Sequence, residues 1–472
     1  MPLGPRRPLL SAALVVLATV VSTLVAGIPG LPRAVAAGAT TLTLTAPPQY
    51  AGRDAVVTVG LTDGPTDGEG PVAGADVVLE RWDGVAWQPA GTVTTDDTGA
   101  ATLALTVSRS PARNQLRASY AGDMEHEPAT ATFTLPLRAL PTTTSLTGPT
   151  SVVDERSIVL RITWVTTTGE PVAGTVRLQR YLDGAWRTVT RRTTNASGIA
   201  DIDFAPRNDG RYRAVSTGLP WAAGSVSRLH VVDNLPPGVP VRLPAGAPRP
   251  RIALPVQPRA TAPGAAAVIS RIPDRVWRSM VGRSWHRGCP VGRSGLRLLR
   301  INYWDYQGYR RRGEVVAAVA VVGQMAGALR DMYAARLPIR SMYRVDRFGW
   351  SRRLNGADDY RSMAAGNTSA FNCRWVVGRP GVRSPHTWGR SLDVNTWENP
   401  YRSSHGWVPN AWWPWRAHAR VAWRSRTHRV VRIMAGRGLR WTYGRSDSQH
   451  FDAVPRGGRL VVVPGCEDVV CH

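Results

Sequence analysis

The stretch Ser384–Asp393 has the sequence SPHTWGRSLD and carries His386 and Asp393 on either side of a glycine. An imidazole and a carboxylate can supply two ligands of a zinc ion, and catalytic zinc takes three protein ligands and keeps one position open. We expect the third ligand on another element, and His450 in the segment RSDSQHFDA is the candidate. Asp447 precedes it by three residues, a spacing that lets the carboxylate face a zinc-activated water and take its proton. The alternative is an accidental pairing, which the rest of the chain must exclude.

Composition limits the class of protein. The chain has 472 residues, of which 43% are apolar, and a formal net charge of +26. This length allows about two to four domains with sizeable cores. Arginine carries the whole positive charge, because the sequence has no lysine, and residues 266–472 hold 35 arginines against 13 acidic residues, an excess of +22. Such a field favours anionic partners such as cell-wall polymers, although a solvated basic face is the more common explanation.

The N-terminal sequence indicates export. Arg6 and Arg7 precede the apolar run LLSAALVVLATVVSTLVAGI, and the small-residue tripeptide AVA follows at 34–36. This order predicts a secretory signal peptide over residues 1–36, with an uncleaved membrane anchor as the alternative. Either outcome places the body of the protein outside the cytoplasm. We therefore expect a secreted, cell-wall-associated protein, for which nucleic acid is not a partner.

Four cysteines fit an exported protein. An even number of cysteines in an oxidising compartment indicates disulfides, and four cysteines allow three pairings. The last two are close in sequence, which favours their pairing with each other. The expected bonds are Cys289–Cys373 and Cys466–Cys471.

The first half of the chain contains a repeat of about 100 residues. GPVAGADVVLERWDGVAWQPAGTVTTDDTGAATLAL begins at Gly70, and EPVAGTVRLQRYLDGAWRTVTRRTTNASGIADIDF begins at Glu170. Short alternating runs separated by Asp-Gly turns indicate antiparallel strands, and units of this size are typically β-sandwiches. The sequence therefore predicts two all-β sandwiches, residues 37–137 and 138–234. They resemble bacterial immunoglobulin-like repeats, which implies a spacer or adhesion module.

A change in composition marks the second half. Residues 235–265 hold nine prolines; proline fixes φ and removes a donor, so a semi-extended tether is predicted there. Residues 266–472 hold 13 of the 18 tryptophans. Apolar spacing predicts helices over 315–337 and 417–438, and the mixture with short strand-like runs indicates an α+β domain with a small antiparallel sheet. The strand-like runs are 392–395, 439–443 and 460–463.

Four motifs of this domain together resemble the LAS-type zinc metallopeptidases, the group of D-alanyl-D-alanine metallopeptidases and lysostaphin-like enzymes. SPHTWGRSLD matches their SxHxxGxAxD signature with Ser391 at the alanine position, and DSQHF matches their second signature with aspartate where many relatives have glutamate. SMAAGNTSAFNCR (362–374) and DVNTWENPY (393–401) are similar to the segments before and after the zinc motif in carboxypeptidase-type members. The resemblance covers residues 289–452 and implies the fold of those peptidases.

The resemblance also implies a role for each matched residue. Asp447 activates the water and later protonates the leaving amine. Arg374 holds or polarises the substrate carbonyl or carboxylate, a task that suits a planar and permanently charged group. Ser384 either hydrogen-bonds to the substrate or orients the loop. The implied Zn²⁺ ligands are His386, Asp393 and His450.

Other histidines and a tryptophan-rich stretch have weaker claims to function. WVPNAWWPW (407–415) either fills a core or lid or stacks on sugar rings. The remaining histidines of the C-terminal domain have no comparable partners in sequence, so an ordinary surface or core role is expected for them. They are His286, His405, His418, His428 and His472.

Taken together, the sequence predicts a secreted zinc-dependent peptidoglycan peptidase that hydrolyses amide bonds next to D-amino acids in stem peptides. A D-alanyl-D-alanine carboxypeptidase is the first expectation. An endopeptidase of the same fold is the second, because the depth of the pocket cannot be read from the sequence. A non-catalytic cell-wall-binding or adhesive protein is the alternative from another class, and the complete ligand set argues against it.

Overall fold

The computed structural model describes most of the chain, and strands predominate over a few short helices. The predicted signal peptide, residues 1–36, and Cys466 of the second expected disulfide lie outside the described residues. Within the described part, no helix has the length and apolar content needed to cross a bilayer. The described residues are 37–64, 70–455, 457–460 and 470–472.

Residue contacts divide the chain into two compact units. One consists of residues up to Leu140 with Gly218–Ala223, and the other of Pro141–Thr217 with Gly224–His472. Strand Asp54–Asp63 shows why the first unit forms sheets, because its buried and solvent-facing residues alternate and a strand presents successive side chains to opposite faces. A three-stranded and a four-stranded sheet enclose one apolar core. In sheet order their strands are Thr40–Thr45, Asp54–Asp63 and Ala100–Thr106, and Trp87–Thr94, Asp76–Trp82, Gln115–Tyr120 and Ala129–Thr134; Gln49–Tyr50 pairs with Leu137–Arg138.

The first part of the second unit, residues 141–217 and 224–235, repeats this sandwich-like arrangement. The repeat extends to the turns: Gly99 and Gly198 both adopt φ +72°, and the side chains of Asp96 and Asn195 accept backbone N–H groups in equivalent positions. A Cβ at either glycine would lie 2.5 Å or 2.4 Å from a carbonyl oxygen, so only glycine fits there. The immunoglobulin-like assignment stays a prediction. The sheets consist of Thr142–Thr147, Ile158–Thr166 and Ile199–Phe204, and of Ser151–Val153, His230–Leu235, Gly210–Ser216, Thr175–Leu182 and Ala185–Thr193.

The proline-rich segment 235–265 differs from the expected tether. Beyond Leu235 it contains no helix or regular strand, but it packs along the C-terminal domain. The Gln257 side chain is buried and hydrogen-bonds to both the N–H and the carbonyl of Met342 at 2.8 Å. The carbonyl of Pro248 accepts a 2.8 Å hydrogen bond from the Trp397 indole. Prolines lack a donor but keep a carbonyl and an apolar ring, and the domain uses both.

A long antiparallel hairpin, Leu296–Trp304 with Arg310–Ala318, forms the centre of the C-terminal domain, and helix Val322–Ala334 packs against it. The predicted helix over 315–337 is therefore wrong in its first part, because residues 315–318 continue the second strand. Their apolar side chains pair with those of the first strand, and a continuous apolar run does not distinguish a buried strand from a buried helix. Strand Val268–Ser270 completes this three-stranded sheet.

A second three-stranded antiparallel sheet carries the motifs singled out in the sequence. Strand His450–Ala453 lies between Ser391–Asp393 and Leu439–Arg440, and its register places Asp393 directly opposite His450. The second predicted helix is shorter than expected: it covers only Arg429–Gly436. The other helices are Asp274–Met280 and Asp359–Ala364, and the other strand pairs are Trp350–Ser351 with Gly356–Ala357, Trp375–Val376 with Arg379–Arg383, and Tyr401–Ser403 with Gly406–Val408.

The expected Cys289–Cys373 disulfide is confirmed, and it joins residues 84 positions apart. Cys373 is fully buried and directly precedes Arg374. The bond therefore holds the segment that carries this arginine against the start of the domain.

Candidate active site

The loop at residues 384–389 presents His386 through a single turn of 3-10 helix. Ser384 caps this turn by accepting a hydrogen bond from the His386 N–H, and Gly389 ends it with φ +66°. A Cβ on Gly389 would lie 2.8 Å from the backbone nitrogen of Ala318, so glycine is required by both its conformation and its surroundings. The chain then enters strand Ser391–Asp393. Ser384 is fully buried, a position in which it orients the loop.

The three predicted metal ligands lie together. His386 Nε2 is 3.1 Å from Asp393 Oδ2 and 3.2 Å from His450 Nδ1, and His450 Nδ1 is 3.2 Å from Asp393 Oδ1. Zinc binds nitrogen and oxygen ligands at about 2.0–2.2 Å in a tetrahedron, whose edges are then about 3.3–3.6 Å. The donor types suit one zinc ion, and the observed separations of 3.1–3.2 Å are only slightly shorter than these edges. The protein would then fill three of the four tetrahedral positions.

Hydrogen bonds to the outer ring nitrogens fix the orientation of both imidazoles. His386 Nδ1 lies 2.6 Å from the Ala370 carbonyl, and His450 Nε2 lies 2.9 Å from Asp452 Oδ1. The Asp452 carboxylate accepts two further hydrogen bonds, each 2.6 Å long, from the hydroxyls of Ser391 and Thr442. Metal-binding histidines characteristically donate their other N–H to a carbonyl or carboxylate. Sequence reasoning missed Asp452, although its position two residues after His450 on one strand gives both the same face.

Electrostatics favour charged groups in this buried cluster. Burial alone would raise the pKa of Asp393, but the imidazoles of His386 and His472 hold it well below its usual range. Burial alone would lower the pKa of His450, but Asp452 and Asp393 raise it well above its usual value. Burial alone would raise the pKa of Asp452, but the His450 imidazole and the hydrogen bonds from Ser391 and Thr442 together lower it to about 2. Zinc would therefore have to displace a proton from His450 when it binds.

Asp447, the predicted base, contacts the group of potential ligands through His472. It is fully buried, and strand residue Tyr401 bridges to it through the backbone. Its Oδ2 is 3.1 Å from His472 Nδ1, and its Oδ1 has no hydrogen-bond partner among the described residues. An unpartnered carboxylate oxygen in a buried site is costly, and an attacking water would satisfy it.

Arg374 also lies in the site, but in an ion pair that the sequence did not indicate. Its Nη2 donates to Asp359 Oδ2 at 2.7 Å, its Nη1 donates to the Trp375 carbonyl at 3.0 Å, and its Nε has no partner among the described residues. The guanidinium is fully buried. Burial alone would raise the pKa of Asp359, but Arg374 and His472 lower it. Arg374 thus has one N–H free for a substrate oxygen.

His472 is the residue that sequence reasoning underestimated. It was expected to have an ordinary role, but it is fully buried and lies with His386, Asp393 and His450 in one group of potential metal ligands, whose donor atoms lie within 4.8 Å of one another. Burial would lower the pKa of His472, but Asp393 and Asp447 raise it to about 9. A sequence signal for a fixed position was its neighbour Cys471, for which a disulfide was expected and which is also fully buried.

The other histidines lie elsewhere, as expected. His405 is exposed in the turn of a hairpin, and His418 and His428 contact backbone carbonyls. His286 lies near Cys289 and Cys373 in a second group of potential ligands. Because these two sulfurs form the disulfide, they are not available to a metal.

The tryptophan-rich stretch 407–415 is partly buried and partly exposed. Trp413 is fully buried in a core cluster. Trp415 is 69% exposed, lies edge-to-face with Trp407 at 5.9 Å, and has the Arg445 guanidinium 5.2 Å from its ring. Arg445 precedes Asp447 by two residues, so the exposed Trp415 ring lies against a residue that is close in sequence to the site.

Residues 377–453 match a family model described as D-alanyl-D-alanine carboxypeptidase. This match supports a peptidase domain in the C-terminal part of the chain. The matched residues include the three potential ligands and Asp447, whereas Arg374, Asp359 and His472 lie outside the match. The match therefore covers the donor set but neither the Arg374–Asp359 ion pair nor the His472 imidazole. No curated protein matches the chain.

Solved structures resemble the chain only weakly. Invasin, a bacterial integrin-binding protein, is 17% identical, with 57% of this chain and 48% of that chain covered and a TM-score of 0.25. Escherichia coli alpha-2-macroglobulin activated by porcine elastase is 12% identical, with 56% and 25% covered and a TM-score of 0.19. A marsupial T cell receptor is 10% identical, with 56% and 81% covered and a TM-score of 0.22. The chain thus spans about a quarter to a half of the first two proteins.

Proposed function

We propose that the protein is a secreted zinc-dependent peptidase that hydrolyses amide bonds next to D-amino acids in peptidoglycan stem peptides. The D-alanyl-D-alanine bond is the first candidate substrate. One observation carries the proposal: His386, Asp393 and His450 converge with separations of 3.1–3.2 Å, and a second buried acid, Asp447, keeps one oxygen without a partner among the described residues. A protein that only binds the wall has no physical need for this arrangement.

The reaction adds water across an amide and releases a carboxylic acid and an amine. A zinc ion held by His386, Asp393 and His450 would polarise the carbonyl and lower the pKa of water. Asp447 accepts the proton of the attacking water at its free Oδ1 and returns it to the leaving nitrogen. Ala370 and Asp452 hold the two imidazoles in orientation through the transfer.

Arg374 supplies the positive charge for the substrate. Its unpartnered Nε–H can donate to the oxyanion that develops from the carbonyl or to the terminal carboxylate of a peptide. Asp359 fixes the guanidinium plane from the other side. A terminal carboxylate near the scissile bond is a feature of a carboxypeptidase substrate, which is why we place carboxypeptidase action before endopeptidase action.

The cellular setting follows from the sequence and supports the same substrate. A signal peptide over residues 1–36 would export the chain to the wall, where stem peptides are found. The excess of arginine in residues 266–472 would favour contact with anionic wall polymers. We propose no nucleic-acid partner, and membrane attachment only through an uncleaved signal segment.

Mass analysis of defined muropeptides tests the proposal. The zinc-loaded chain and its His472→Ala variant are each incubated with a pentapeptide muropeptide; the variant is included because His472 holds Asp447. Loss of one terminal D-Ala supports the carboxypeptidase, and Asp447→Asn should abolish it, whereas Asp331→Asn, a surface control, should not. Internal cuts would instead assign an endopeptidase. No product from either zinc-loaded protein would contradict the proposal.

A further inference from the structure

The His472 imidazole contacts the carboxylates of Asp447 and Asp359 at once. Its Nδ1 lies 3.1 Å from Asp447 Oδ2 and its Nε2 lies 3.1 Å from Asp359 Oδ2, the same oxygen that accepts the hydrogen bond from Arg374. Nε2 is also 3.7 Å from Asp393 Oδ2. Neither Asp447 nor Asp359 is one of the three proposed zinc ligands, so these contacts are compatible with a bound metal.

The residues at and before this imidazole are held in place by specific contacts. We call Val470–His472 the plug segment. The carbonyl of His472 accepts a 3.0 Å hydrogen bond from the Val377 N–H, and its ring stacks on that of Tyr401 with centroids 4.3 Å apart. Val470 packs into an apolar cluster with Tyr401 and Val377, and Cys471 packs into a neighbouring one. Each residue of the plug segment therefore has its own site of attachment.

The proposed catalytic groups cannot be reached by a peptide in this arrangement. His386, Asp393, Asp447 and His450 are at most 2% exposed, and Arg374 is 1% exposed. A peptidase must admit a main chain that passes both the metal and the base. The His472 ring occupies the space between Asp447 and the Arg374–Asp359 pair, which are the groups assigned to water activation and substrate binding.

We propose that the plug segment is an intramolecular inhibitor: its His472 side chain fills the substrate side of the metal centre, and a peptide binds only after displacing it. The inference rests on the proposed peptidase function and adds that the described form is latent. It predicts that His472 competes with any ligand that needs both the open metal position and Asp447.

Calorimetric titration of the zinc-loaded full chain with acetohydroxamate, a small zinc ligand, tests this without any turnover. His472→Ala should bind acetohydroxamate at least about tenfold more tightly than the wild type, because the ligand no longer displaces an imidazole that makes two charge-assisted hydrogen bonds. Val470→Ser keeps the imidazole but weakens the packing of the plug segment. It should also raise the affinity for acetohydroxamate, but by less than His472→Ala does. The exposed His405→Ala is the matched control and should bind as the wild type does.

Three outcomes separate the inference from the function on which it rests. If the wild type and His472→Ala bind acetohydroxamate equally, or the variant binds more weakly, the plug is refuted while the zinc site stands. If His472→Ala does not fold, an unchanged affinity in Val470→Ser refutes it. If the wild type binds no zinc, the proposed function fails and the inference fails with it.

Discussion

Asp452 offers a test of the zinc site that does not touch a ligand. Its Oδ1 accepts from His450 Nε2 at 2.9 Å and from Ser391 at 2.6 Å, and its Oδ2 accepts from Thr442 at 2.6 Å. Asp452→Asn keeps the shape of the side chain and removes its charge. The imidazole then loses the carboxylate that fixes its tautomer and raises its basicity.

The expected loss is a factor of about 10–100 in zinc affinity, the usual effect of removing the carboxylate partner of a ligating histidine, or about 1.4–2.7 kcal/mol. Competition with a chromophoric zinc chelator at fixed pH measures it. Asp331→Asn is the control, since Asp331 pairs with Arg437 on the surface, where both side chains are more than a third exposed, and zinc affinity should not change. The reasoning is refuted if Asp452→Asn, folded as the wild type, binds zinc within about twofold of it.

Further predictions concern the surroundings of the site. Burial alone would raise the pKa of Glu314, but Arg300 and Arg344 hold it below its usual value. The charge of Glu314 therefore stabilises the fold above about pH 4.3. This contribution is lost as the pH falls through the lowered pKa. Glu314→Gln should therefore destabilise the domain by about 1–3 kcal/mol at pH 7, with the difference shrinking in acid, as denaturant unfolding followed by tryptophan fluorescence would show. Cys373→Ser opens the loop closed by the disulfide and should cost about 2–5 kcal/mol by the same assay. Arg374→Lys should lower kcat/KM on muropeptides by about 100-fold, because lysine lacks the planar, multiply donating group.

Each of these predictions can be contradicted by a specific result. A difference between Glu314→Gln and the wild type that is the same at pH 7 and pH 3 would show that the lowered pKa does not contribute to stability. Unchanged unfolding of Cys373→Ser would show that the disulfide does not constrain the domain. Full activity of Arg374→Lys would remove this residue from substrate binding, while Arg379→Lys, an exposed neighbour, serves as its control.

The sequence was most informative where chemistry requires residues to converge. His386 and Asp393 share one short loop, and a metal needs a third ligand, so His450 could be chosen before any register was known. The pairing of Asp393 with His450 across two strands cannot be derived from either segment alone. It follows from the hydrophobic pattern of the whole domain, which selects one register.

Some residues outside those motifs could not be predicted from the sequence, for identifiable physical reasons. Asp359 follows Asp358, which caps a helix by accepting from the Arg361 N–H, so an Asp-Asp pair at this position is explained by capping alone. His472 lies 22 residues beyond His450 with no periodic pattern around it. The apolar run at 315–318 is compatible with both a helix and a strand, and only its pairing with the first strand of the hairpin shows that it is a strand.

The central claim is that one zinc ion is bound by residues from two segments of the chain that are distant in sequence. An anomalous-difference map, recorded at the zinc edge from crystals of the zinc-loaded chain, tests it most directly. The account predicts a single strong peak within about 2.0–2.2 Å of His386 Nε2, the Asp393 carboxylate and His450 Nδ1. A map without a peak at that position, or with zinc bound by other side chains, would contradict it.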